Sequence, residues 1–324
     1  MTTQILPTTS PDAPSSVSDE DRDATQNDLS YHRVALTHAR PRWWRPLLTV
    51  VFSGVAYAVL VFATGILTMI VIYFVPYLEP AMTVWAETDT FDLDTPLGLV
   101  LGCGMLALMI PAVAIGLRLA EKQSLGRLSS VAGHLRGALL VPMLGLAALV
   151  FTPYVAIDAL VQWHQGSLDI SITNRALLMI TLALLVVPFQ AAAEEYVFRG
   201  LPQQVLGAWL KSPWWGILIP IPFFVLGHTY DLYGQVNIGV FALAMGILVW
   251  RTGGLEAAIA LHVVNNLVVL IGDVIGFSHA TTHEVSVAAF WFSNGIIIAF
   301  TALAITYHHR VTHRGRGSEV TPCV

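Results

Sequence analysis

Charge is what this sequence has least of. Asp, Glu, Lys and Arg make up 11% of its 324 residues, against about 25% in an ordinary soluble domain. That shortage excludes a chain disordered throughout and a typical cytosolic enzyme. Sixteen Lys and Arg against 21 Asp and Glu exclude a basic nucleic-acid binder, so no nucleic-acid partner is expected. Two cysteines exclude a disulfide framework. Cys103 lies in an apolar run, and Cys323, in the ending Thr-Pro-Cys-Val, does not stand four residues from the end as prenylation requires. No repeat of solenoid or propeller period occurs. The His-Glu-x-x-His zinc signature is also missing: its nearest approach, His283-Glu284, has Val287 in place of the second histidine.

What is present is apolar: 55% of residues, with a mean hydropathy of +0.68. A bilayer core of ~30 Å needs roughly 20 apolar residues per helix. Eight runs qualify as candidates, at about 47–76, 96–119, 137–161, 176–198, 213–230, 235–250, 254–275 and 287–307. The fold class is therefore an all-α polytopic transmembrane helical bundle of about eight spans. Residues 1–44, rich in Ser, Thr, Asp and Pro, are expected to be a disordered tail. Residues 45–310 form the transmembrane domain, and 311–324 a second tail. Pro111, Pro142, Pro188, Pro220 and Pro222 fall inside runs and should kink them.

The few charges orient the chain. Fifteen of the 16 basic residues fall on one side of an eight-span threading; only Arg175 falls outside it. The loop at 77–95 carries Glu79, Glu87, Asp89, Asp92 and Asp94 and no base. Positive charge marks the cytoplasmic side, so a multi-pass protein with both termini cytoplasmic is expected, in the plasma membrane of a prokaryote. The lipid bilayer is its first partner; nothing in the sequence sets an oligomeric state.

Ionisable groups inside spans are costly, at roughly 2.5–3.5 kcal/mol on insertion scales for Asp, Lys and Arg. Run four ends with Gln190, Glu194, Glu195 and Arg199, run five holds Phe224 and His228, and run seven holds His262 and Asn266. Residues i and i+4 share a helix face while neighbours point about 100° apart. Glu195 is thus expected to pair with Arg199. Glu194 should face the bundle interior, with Gln190 one turn before it. His262 and Asn266 project together, as do Phe224 and His228. A carboxylate in a water-poor cavity serves as a general base, and imidazoles position water, bind metal or stabilise an oxyanion. These parts suit hydrolysis of an amide bond. One figure is strained: His228 lies roughly 22 Å from Lys211 along a straight helix. That is about 10 Å too deep, unless run five is tilted or begins in a membrane-dipping segment.

The three elements Glu194-Glu195-x-x-x-Arg199, Phe224-x-x-x-His228 and His262-x-x-x-Asn266 resemble the signature of the CPBP family of intramembrane proteases. That group includes the type II CAAX prenyl endopeptidase and bacterial Abi proteins. The resemblance covers about residues 175–275, the expected catalytic core. It implies a peptidase acting near the cytoplasmic face on a peptide or membrane-protein substrate. It implies catalytic roles for four residues: Glu194 activates water, His228 positions it, and His262 with Asn266 binds the carbonyl oxygen. Glu195, Arg199 and Phe224 are supporting residues. It also implies a divalent metal, zinc, on Glu194, His228 and His262, with a metal-free glutamate-activated water as the competing mechanism.

Other chemistries fit less well. A rhomboid-like site wants Gly-x-Ser-Gly, which is absent. A presenilin-like site has Tyr230-Asp231 and Gly272-Asp273, but Leu270 replaces its first glycine, and both aspartates fall near span ends. Two alternatives outside catalysis stay open: a non-catalytic scaffold or bacteriocin-immunity-type protein, and a transporter using the polar cluster as its ion site.

Overall fold

The computed structural model describes residues 30–37, 42–75, 91–277 and 285–317, with side chains as far as residue 312. Cys323, His283-Glu284 and the acids Glu79, Glu87 and Asp89 lie outside the described residues. Helix α1 spans Arg45–Phe74. Helix α2, Pro96–Ala107, is continued by α3, Met109–Glu121, after a break at Leu108 three residues before Pro111. A short α4 covers Leu125–Ser129, and α5 runs Gly137–Gln165. Helix α6, Asn174–Glu195, passes through a π turn at Tyr196–Gly200 into α7, Leu201–Gly207. Helices α8, Trp214–Leu218, and α9, Pro220–Leu226, are short. The chain closes with α10, Leu232–Thr252, α11, Glu256–Val274, and α12, Val287–Gly317. The described residues hold no strand, only an isolated bridge between Ser130 and Gly254.

Seven of the eight apolar runs form helices long and apolar enough to cross a bilayer, which makes the protein multi-pass. The fifth does not. It forms the 13-residue pair α8–α9, Trp214–Leu226, which at 1.5 Å per residue reaches about 20 Å into a ~30 Å core. Pro220 and Pro222 are the reason: proline cannot donate to the preceding turn, and the helix breaks at Ile219 and restarts on Pro220. His228 follows this short rod at the turn leading into α10. Asp231 then caps α10, its carboxylate accepting from the Gly234 amide at 2.9 Å. That structural role accounts for Asp231.

The interior is organised around α11, which packs against α5, α6 and α10. Its first two turns, Glu256 to Val263, are buried without interruption. Helix α6 buries Ala176, Met179, Ala183, Val187, Gln190 and Glu194, a run at three- and four-residue spacing that defines one face. Helix α2 packs on α6 and α1 packs on α3.

The expectation of a disordered tail through residue 44 needs correcting. Tyr31–Thr37 forms a 3-10 helix packed against α7, with Tyr31 and Val34 each 1% exposed. The Tyr31 hydroxyl donates to the Leu128 carbonyl at 2.5 Å, and Arg33 Nη1 donates to the Gly207 carbonyl at 3.0 Å. His32 Nε2 donates to the Lys211 carbonyl at 2.9 Å. Gly207 permits the approach, since a Cβ there would lie 2.6 Å from the His32 carbonyl carbon. A few anchoring side chains order this strap, too few to alter the composition of the tail around them. Residues 1–29 and 38–41 lie outside the described residues.

Candidate active site

The site is built where α6 ends, α11 passes and α9 stops. Glu194 and Glu195 occupy the last turn of α6, immediately before the π turn. A π turn is a rare local widening, found mostly at functional sites. Here it is pinned from outside by a 2.5 Å hydrogen bond between the Tyr196 hydroxyl and Ser129 Oγ.

The two glutamates diverge as helix geometry requires. Glu195, fully buried, accepts from Arg199 Nη1 at 3.1 Å. The same oxygen, Oε1, accepts from His262 Nδ1 at 2.7 Å. Glu194 instead receives Gln190 Nε2 on Oε1 at 2.7 Å. Its other oxygen, Oε2, is buried without a hydrogen-bond partner and stands 3.4 Å from His262 Nε2. His262 therefore lies between the two carboxylates, held through Nδ1 and presenting Nε2 to Glu194. Arg199 and His262 are 2% and 3% exposed, so these charges meet in a dry environment. A buried charge is tolerated only when paired.

Aromatic rings close the cluster. Phe224 lies under the Arg199 guanidinium, 4.1 Å from its ring centroid. Its ring centroid is 5.1 Å from that of Phe198, 4.8 Å from His228 and 6.3 Å from His262. Phe241 of α10 meets the His262 ring edge-on at 5.1 Å. His228 Nδ1 donates to the Phe224 carbonyl at 2.8 Å, which leaves Nε2 as an acceptor. Asn266 Nδ2 donates to Gln190 Oε1 at 3.1 Å, and Asn265 Nδ2 donates to Asn266 Oδ1 at 3.0 Å.

The fold thus gathers Glu194, Glu195, Arg199, His262 and Asn266 into one bonded cluster. His228 joins it only through Phe224, with no direct bond to Glu194. Two members escaped the sequence reading as site residues. Gln190 carried a usable signal, its spacing of four from Glu194 in an apolar helix. Phe241 carried none, being an ordinary apolar residue of α10.

The zinc implied by the resemblance would need Glu194, His228 and His262 to converge. Among the described residues no three His, Cys, Asp or Glu side chains converge so as to hold one ion. Glu194 Oε2 and His262 Nε2 converge, but His228 is turned into the Phe224 carbonyl, so the three protein donors usual for catalytic zinc are not assembled.

Comparison with known proteins covers the same stretch of chain. Residues 173–268 match the family model described as type II CAAX prenyl endopeptidase Rce1-like. Over 179 residues the chain is 26% identical to the uncharacterized protein YyaK of Bacillus subtilis (strain 168), covering 50% of this chain. The chain thus spans 59% of the length of that curated relative. No solved structure matches. The matched segment, residues 173–268, is thus similar to the Rce1-like model and lies within a multi-pass membrane protein.

Proposed function

We propose that the protein is an intramembrane endopeptidase of the CAAX-protease type, hydrolysing a peptide bond in a peptide or membrane-protein substrate by glutamate-activated water. The observation that carries this reading is Glu194 Oε2, a buried carboxylate oxygen with no hydrogen-bond partner, 3.4 Å from an imidazole nitrogen. A polar atom in that condition costs free energy, and its placement makes sense as a base awaiting a water.

In this scheme Oε2 takes a proton from water, and the hydroxide adds to the scissile carbonyl carbon. His228 Nε2, an acceptor, orients the water. The tetrahedral oxyanion is met by the Asn266 Nδ2 hydrogen not used by Gln190 and by His262 Nε2. With Nδ1 donating to Glu195, Nε2 carries a hydrogen only when the ring is an imidazolium, and Glu195 is the counter-charge for that form. Collapse of the intermediate breaks the C–N bond, and Glu194 returns its proton to the leaving amine. Preorganised donors of this kind contribute about 10²–10³ in rate, and general acid–base catalysis about 10²–10⁴.

The test is cleavage of internally quenched peptides by the purified full chain in liposomes. One peptide ends in a farnesylated cysteine followed by three residues, and the other is its unprenylated counterpart. Glu194→Ala should lower kcat by about 10²-fold or more; wild-type cleavage by that variant would sink the proposal. Chelation should leave the rate unchanged, whereas loss restored by zinc would replace the water-only mechanism with a metal-assisted one.

A further inference from the structure

Three side-chain amides lead head to tail into the proposed base. Asn265 Nδ2 donates to Asn266 Oδ1, Asn266 Nδ2 to Gln190 Oε1, and Gln190 Nε2 to Glu194 Oε1, at 3.0, 3.1 and 2.7 Å. The direction of this chain is dictated from its carboxylate end. An ionised glutamate only accepts, so Gln190 must turn its nitrogen toward Glu194. Its oxygen then faces Asn266, which must present nitrogen, and Asn266 in turn faces Asn265 with its oxygen. Each amide polarises the next.

Two consequences bear on the reaction. Glu194 Oε1 is occupied, so Oε2 is the oxygen left for proton transfer. Asn266 is held with its oxygen engaged and one Nδ2 hydrogen spare, the orientation an oxyanion donor needs. Gln190 sits 6% exposed on the buried face of α6 and bonds both residues at once. We propose that Gln190 is a positioning residue that fixes, in one stroke, which oxygen of Glu194 acts as base and which end of the Asn266 amide faces the substrate.

The inference rests on Glu194 being the base, and the experiment separates the two claims. Gln190→Met keeps the length and volume of the side chain but has neither donor nor acceptor. Gln190→Glu keeps the acceptor and loses the donor. Both are assayed as full chains in liposomes on the quenched peptides above. Glu194 is followed independently of turnover by the infrared carboxylate band that disappears in Glu194→Gln. Each Gln190 variant should lose about 10–100-fold in kcat, the range for a hydrogen bond to a charged group, with KM changed little. The Glu194 band should shift in both. A packing role predicts that Gln190→Met keeps full activity. Cleavage within twofold of wild type by Gln190→Met, or an unmoved Glu194 band, overturns the inference. An active Glu194→Ala would instead overturn the reading beneath it.

Discussion

Helices α1 and α11 are both apolar and both long enough to cross a bilayer, yet 6% of the most apolar stretch of α1 is buried against 44% of that of α11. Helix α1 hides only Pro46, Thr49 and Ser53 and leaves Val55, Val59, Phe62 and Leu67 exposed. Helix α11 buries every residue from Glu256 to Val263, His262 among them. The difference teaches that apolar composition does not distinguish a lipid-facing helix from a protein-facing one, because lipid and protein interior are equally good solvents for Leu and Val. Polar residues make the distinction. Where they are small and few, as on α1, they mark a narrow stripe of close approach. Where they ionise, as beside α11, they mark the interior.

The strongest way to test this contrast is to unpair the interior charges. Glu195→Leu leaves Arg199, 2% exposed, without its partner and frees His262 Nδ1. Breaking a buried pair on one side costs about 3–5 kcal/mol, so thermal unfolding in detergent should show a large loss of stability for this variant. A second pair of changes locates the boundary on the periphery. Gly116 of α3 faces α1, and a Cβ added there would stand 2.7 Å from the Thr49 carbonyl oxygen and 2.8 Å from the Ser53 amide nitrogen. Gly116→Ala should therefore destabilise by about 1–3 kcal/mol through overpacking. Phe62→Leu, on the exposed face of the same helix α1, should stay within about 0.5 kcal/mol of wild type. Equal effects from the two would erase the distinction between stripe and lipid face.

The strap before α1 sharpens the comparison further, since it packs on α7, just beyond the π turn, while most of α1 is exposed. Burial lowers the pKa of His32 below the ordinary 6.5, and neighbouring Arg33 pushes in the same direction, while the bond to the Lys211 carbonyl opposes them. A released strap therefore binds a proton more readily than a docked one. Docking is fully stabilised above about pH 6.5 and weakens as pH falls below it toward the lowered value. Hydrogen-exchange protection at residues 31–37, corrected for the intrinsic pH dependence of exchange, should fall on acidification through that window, with protection in α1 unchanged. Protection independent of pH, or His32→Phe retaining the wild-type pH response, would exclude His32 as the titrating group.

The local features of the site were legible in the sequence because helix spacing is local. Glu195 pairs with Arg199 four residues on, Gln190 meets Glu194 four residues on, and His228 bonds the carbonyl of Phe224, four residues back. Each follows from 3.6 residues per turn without knowledge of any other helix. The depth problem of His228 was also visible, as a rod too long for its place. Its resolution into α8 and α9 needed the structure, because proline permits either a kink or a break and packing selects between them.

By itself the sequence determined the membrane class, the helical fold and the set of polar side chains that had to be brought out of lipid. Those follow from composition and from the cost of solvating charge in hydrocarbon. Only the tertiary structure decided which partner each group met: that His262 bridges the two glutamates, that His228 Nδ1 turns to the Phe224 carbonyl, and that the Tyr31–Thr37 strap clasps α7. Contacts between helices depend on the crossing and rotation of whole rods, fixed by small residues, prolines and buried pairs together. No pattern along a single helix contains that information.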